Sequence, residues 1–149
     1  MSSELYKKFF KAALVEAGKA FKKNEVPIGA VVVKNEKIIA RAHNLTEKKG
    51  NFLAHAEILC IEKAAKKLKT KYLKDCEIFI TLEPCRMCEA AASLSRIESI
   101  HYLIGSEKFG ASGKAYKQIS LSEQKLESSE ESRKLLQDFF KKKRYAKKR

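Results

Sequence analysis

Glu77-Ile78-Phe79-Ile80-Thr81-Leu82-Glu83-Pro84-Cys85-Arg86-Met87-Cys88-Glu89-Ala90-Ala91-Ala92-Ser93 passes from a short apolar run, through a proline, into a stretch of small residues. Residues 77–82 read as a strand. The helix that follows is expected to run to about Ser95, with Pro84 at its first helical position, where the missing N–H leaves no bond unmade. A strand handing directly to a helix is the unit of an α/β fold.

The same alternation extends in both directions. Upstream, residues 54–68 read as a helix burying Ile58, Leu59, Ile61, Ala65 and Leu68, preceded by a polar loop over 44–53. Before that loop, Val26–Val33 and Ile38–Ala42 are strand-like around a turn at 34–37, with Pro27 suited to the opening of an edge strand. Leu5–Lys23 carries Tyr6, Phe9, Phe10, Ala13, Leu14, Ala17 and Phe21 at helical spacing. Downstream come a strand over Ile97–Ile104, a flexible loop over 105–113 and a short strand near 121–126. A basic helix from about 129 to 149 is expected last, opened by a capping box, Ser128-x-x-Glu131. These elements predict a three-layer α/β/α sandwich around a mixed, mostly five-stranded sheet, with residues 1–149 forming one domain.

The composition narrows the class. A chain of 149 residues with 44% apolar content can bury a core. It has no apolar run near the roughly 18 residues of a membrane span, and its start does not read as a secretory signal. A cytoplasmic protein with reduced cysteines is expected. Cys60 and Cys76 sit in apolar or strand-like sequence and read as small buried residues. The net charge of +14 and the terminal run Lys141-Lys142-Lys143-Arg144-Tyr145-Ala146-Lys147-Lys148-Arg149 point to a polyanionic partner over a merely solvated tail.

Chemistry concentrates at two places. His55-Ala56-Glu57 supplies an imidazole and a carboxylate, and Cys85 and Cys88 supply two thiols. Three nitrogen and sulfur donors leave one position of a tetrahedral zinc ion open, whereas a structural site closes all four. Helix starts at both places put the donors in first turns, where the helix dipole favours thiolate. Glu57 is left over to move protons. A structural zinc would need a fourth ligand, and His43 and His101 lack ligand-like spacing. A thioredoxin-like use of the cysteines would leave His55 and Glu57 without a role.

These residues resemble the cytidine deaminase superfamily of zinc-dependent base deaminases. The nearer resemblance is to tRNA adenosine deaminases of the TadA type. It is carried by Val26-Pro27-Ile28-Gly29-Ala30, His55-Ala56-Glu57-Ile58, Thr81–Cys88, Ser95-Arg96-Ile97, Gly110-Ala111-Ser112-Gly113 and Asp138-Phe139-Phe140 with the basic residues after it.

The resemblance implies hydrolytic deamination of the wobble adenosine of a tRNA anticodon to inosine. One Zn2+ per chain would be held by His55, Cys85 and Cys88, with Glu57 as proton shuttle. Asn44 would hold the base edge, Ile28 and Leu82 would line the pocket, and Phe139, Phe140 and Lys141 would grip the flanking loop. It also implies a homodimer, with the helix after Cys88 near the interface. Ser106, where an acidic residue is common, and Lys141, where arginine is common, depart from the family pattern. Two rival readings are a deaminase of free bases or nucleosides (guanine or cytosine type) and a non-catalytic RNA-binding subunit with structural zinc.

Overall fold

Ala30 and Val32 face one side of the central strand and Val31 and Val33 the other, and all four are buried. That alternation divides the core into two layers. A computed structural model of the chain describes residues 1–106, 110 and 120–147. Helix α1 (Ser3–Lys22) opens at Ser2, whose Oγ accepts from Leu5 N at 3.3 Å. Strands β1 (Gly29–Lys34) and β2 (Lys37–His43) form a hairpin closed by Asn35 and Glu36 at φ 51° and 61°. Both central residues in the left-handed region is the geometry that matches strand twist. Helices α2 (Thr46–Lys49) and α3 (Ala56–Leu68), strand β3 (Cys76–Ile80), helix α4 (Arg86–Leu94), strands β4 (Ser99–Tyr102) and β5 (Ser120–Glu123), and helix α5 (Glu127–Lys147) complete the order.

The five strands form one sheet in the order β2-β1-β3-β4-β5. Pairing is antiparallel between β1 and both its neighbours, and parallel from β3 through β5. Helices α3 and α4 cover the face that carries Ala30, Val32, Ile78, Ile80 and Ile100. Helices α1 and α5 cover the face that carries Val31, Val33 and Phe79. This is the expected α/β/α sandwich with a mixed sheet.

Four local expectations are corrected. The 44–53 loop contains α2, whose first amides, Glu47 N and Lys48 N, donate to the Glu25 carboxylate at 2.9 and 2.7 Å. Leu45 at the cap cannot do this, so the cap comes from a buried acid distant in sequence. Pro84 lies one residue before the N-cap of α4, which is Cys85. Ser128 is already inside α5, and Ser129 Oγ accepts from Leu126 N at 3.1 Å instead. Finally, the fully buried apolar residues of α3 are Ala56, Cys60 and Ala64, while Leu59, Ile61 and Leu68 flank them half-buried. Small side chains let the helix approach the sheet closely, so the large apolar residues fill the margins. Residues 107–109, 111–119, 148 and 149 lie outside the described residues, and with them Ala111-Ser112-Gly113 and the end of the basic run.

Gly29 opens β1 beneath α1. A Cβ there would stand 2.0 Å from Ala13 O and 2.6 Å from Ala17 N, both backbone atoms that cannot move aside. Gly29→Ala is expected to cost about 3 kcal/mol in urea denaturation, because the clash must separate α1 from the sheet.

Candidate metal centre

The strand directions bring four chain segments to one edge of the sheet. β1 begins there, while β2, β3 and β4 end there. His55 is the N-cap of α3 and Cys85 the N-cap of α4, and neither side chain caps its own helix. Both are therefore free to turn toward each other, and Cys88 joins them from the first turn of α4. Cys88 Sγ lies 3.4 Å and Cys85 Sγ 3.8 Å from His55 Nδ1. All three donor atoms fall within 4.8 Å of one another. Zinc bond lengths to nitrogen and sulfur place two tetrahedral ligands about 3.6 Å apart, so the cluster fits such an ion without rearrangement.

The electrostatics suit a cation. A hydrogen bond from Cys88 and the contact with His55, opposed by burial, bring the Cys85 thiol down to about 4. Cys88 is pushed up, because its hydrogen bond to Cys85 and its burial both favour the thiol. His55 is raised by its hydrogen bond to Cys85. Two helix N-termini aim at the same point and favour thiolate further. A divalent ion would take the place of the protons these donors share.

Glu57, in the first turn of α3, is buried, and that burial raises its carboxyl pKa. Its Oε1 has no hydrogen-bond partner among the described residues. A buried orphan oxygen is costly and calls for a reason. Asn44, also buried, spends its Oδ1 on Ala56 N at 2.7 Å, which ties the end of β2 to the start of α3. Its Nδ2 donor is left out of that bond.

Other groups at this edge gave no usable signal in the sequence. His43 Nδ1 meets Glu16 Oε1 at 3.1 Å, and Lys23 Nζ lies 3.1 Å from His43 Nε2. These two contacts fix the His43 ring beside Asn44. Burial opposes ionisation of Glu16, but Lys19 and His43 still hold its carboxyl below the usual range. His101 is engaged elsewhere, with Nε2 2.8 Å from Glu77 Oε1. Neither histidine joins the cluster. Glu83 accepts from Ser106 N at 3.1 Å, and Cys85 bridges Gly110. A Cβ on Gly110 would stand 2.4 Å from the backbone oxygen of Ser106 as well as against the Glu83 carboxylate, so a glycine suits the point where this segment crosses the cysteine turn.

The model of the MafB19-like deaminase family matches residues 5–144. The chain belongs to that deaminase family. A tRNA-specific adenosine deaminase of Rickettsia felis is 45% identical over 138 residues, covering 87% of this chain and 96% of the relative. A solved structure from work on A-to-I editing by tRNA:A34 deaminases at the wobble position shares 35% identity. It matches with a TM-score of 0.80, over 87% of this chain and 99% of that one. A guanine deaminase from Bacillus subtilis matches at 32% identity with a TM-score of 0.65, over 75% and 73% of the two chains. The relatives named tRNA-specific adenosine deaminase, together with the A34 deaminase structure, place the chain in the TadA-type branch of the cytidine deaminase superfamily.

The residues expected around the substrate of such a deaminase are partly brought together. Ile28 adjoins the site, its carbonyl accepting from Asn44 N at 3.2 Å. Leu82 and Phe140 line one pocket of about 370 Å³ with Ser106, Arg133 and Arg144. Phe139 turns inward and is 5% exposed, with Lys143 Nζ 5.5 Å from its ring centroid. Lys141 is exposed on α5. Ser132 Oγ, buried on α5, donates to Thr81 O at 2.9 Å, so the basic helix is anchored just before the cysteine turn.

Proposed function

We propose that this deaminase converts adenosine to inosine at the wobble position of a tRNA anticodon, using one Zn2+ per chain. The observation that carries the reading is a three-donor cluster beside a buried carboxylate with an uncommitted oxygen. A structural site has no use for that oxygen. His55, Cys85 and Cys88 would hold the zinc, which when bound lowers the pKa of a water toward neutrality.

The chain's own groups account for the rest. Glu57 Oε1 accepts one proton from the attacking water and delivers it to the purine ring nitrogen, then takes the second proton from the new hydroxyl on C6 and delivers it to the departing amine. A C6–O bond forms, the C6–N bond breaks, and ammonia leaves. Burial raises the Glu57 pKa, which suits a group that must both take and give a proton near neutral pH. Asn44 Nδ2 donates to an acceptor on the base edge, while Ile28 and Leu82 provide apolar walls. Phe139, Phe140, Lys141 and the neighbouring basic residues of α5 would hold the flanking nucleotides. An anticodon loop is already single-stranded, so displacing one base costs less than it would in a duplex.

One deaminase domain accounts for the chain. A homodimer is supported by exposed apolar residues: Leu94 at the end of α4 (69% exposed), and Phe52 (75%) and Leu53 (45%) just before His55. No helix among the described residues is long and apolar enough to cross a membrane, and the tRNA substrate argues for the cytoplasm.

The deciding experiment compares turnover of a tRNA anticodon stem-loop with turnover of free guanine, cytosine and their nucleosides. Faster conversion of the free substrates would replace this reading with the guanine-deaminase type. RNA that is bound but left unchanged by zinc-loaded protein would favour a non-catalytic subunit. Asn44 allows a finer test. Asn44→Asp keeps the oxygen that caps α3 but removes the donor, so stability should hold while kcat/KM falls roughly 10- to 100-fold. Asn44→Ala should lose both, with about 1 kcal/mol of stability gone in urea titration.

A further inference from the structure

Lysine is abundant throughout this chain, so a basic surface needs more than a count to mean anything. Along the outer side of α3, away from the sheet, a groove of about 760 Å³ is lined by Lys49, Lys63, Lys66, Lys69 and Lys71, with Glu62 as its one acidic residue. Lys63 Nζ donates to Arg41 O at 3.0 Å. The other four lysines have no carboxylate within ion-pair distance among the described residues. Elsewhere, Lys7, Lys19 and Arg133 each face a glutamate one helical turn away.

The negative end of α3 accounts for lysine in its last turn. It does not account for Lys49 across the groove, contributed by α2. Nor does it explain the far end, where Lys71 Nζ and Arg96 Cζ lie 5.0 and 3.8 Å from the ring centroid of Tyr72. Basic groups from two separate segments, α2 and the stretch 59–71, thus converge on one concavity with Glu62 as its one acidic residue.

The position of the groove gives it meaning. α3 starts at His55, so Lys66 lies about 17 Å along the helix axis from the metal cluster. The basic residues of α5 lie on the opposite layer of the sandwich. Two cationic surfaces therefore flank the site, one on each face of the sheet. An RNA hairpin whose loop enters the site has two strands of stem leaving it, and α5 can meet only the strand on its own side.

We propose that the α3 groove is a second RNA-binding surface, contacting backbone phosphates of the duplex stem that flanks the reacting loop. This rests on the tRNA reading above. Contacts of this kind recognise charge and A-form shape rather than sequence, and they make affinity depend steeply on salt.

The test combines Lys66→Glu, Lys69→Glu and Lys71→Glu, with a milder set carrying Gln at the same positions should the charge reversals disturb the helix end. A control of equal net charge, Lys7→Glu, Lys8→Glu and Lys37→Glu, changes exposed lysines far from the metal edge. Binding of full-length tRNA is measured against salt, and single-turnover deamination is measured on a minimal anticodon hairpin with a short stem. The groove variant should bind full-length tRNA at least tenfold more weakly at about 0.15 M salt, with a salt slope shallower by about 2 to 3. It should still deaminate the minimal hairpin at the unmodified rate once saturated. Equal weakening by the control would assign the effect to net charge and overturn the proposal, as would an unchanged slope in the groove variant. If the unmodified protein binds both RNAs but deaminates neither, the activity reading fails while the slope comparison still decides the groove.

Discussion

Glu57→Gln should abolish deamination while leaving the fold and the metal content intact. General acid and base groups of this kind contribute about 10²- to 10⁴-fold, and a glutamine amide can neither accept nor deliver the proton. Stability should change little or rise, because Oε1 makes no hydrogen bond among the described residues and burial penalises the carboxylate more than its neighbours favour it. The measurement pairs single-turnover kinetics with metal content and urea denaturation of the same preparation. Retained turnover at full metal loading would remove Glu57 from the mechanism. A large loss of stability would mean that the carboxylate serves the fold, and the catalytic argument would lose its footing.

The second large effect concerns the donor cluster. Cys88→Ala removes a buried ligand from the first turn of α4 and leaves His55 and Cys85 as a weak pair. Zinc content should drop well below one per chain, with activity lost in proportion. The unmodified protein should also melt at a lower temperature after chelation. A metal at 100 times its Kd adds about 2.7 kcal/mol, equivalent to roughly 5–10 °C for a chain of this size. The variant should show no chelation shift. If it keeps its metal, the ligand set is wrong.

Much of the donor set was legible in sequence because its chemistry is local. Cys85 and Cys88 share one helical turn, and His55 and Glu57 sit together at another helix start. The two places could be joined on paper because a proline and a polar loop marked where the helices begin. The fold followed from the same alternation, and the element types held along the described chain except for the short helix α2 inside the expected 44–53 loop. What stayed hidden depends on partners far apart in the chain. Glu25 capping α2, and the Glu16–His43–Lys23 chain beside Asn44, have no spacing signature, because the pairs meet only once α1 lies on the sheet. The burial of small residues on α3 was missed for a related reason. Helical periodicity finds the apolar stripe but not how closely the stripe approaches its neighbour. Asn44 was expected to hold the base edge from the resemblance alone, and its bond to Ala56 N, 12 residues away, had no signal in the sequence.

The placement of His55 and Cys85 as caps of two different helices also has a temporal side. The donors are separated by 30 residues in one pair and 33 in the other, and β3 lies between them in sequence. Neither helix start alone holds a complete ligand set. Contacts of this range form only after the intervening strand has paired, when loop-closure entropy has already been spent. During synthesis, the first imidazole emerges well before the thiols it must meet. A metal held by these three residues would be captured late in folding and would act as a latch on packing already formed.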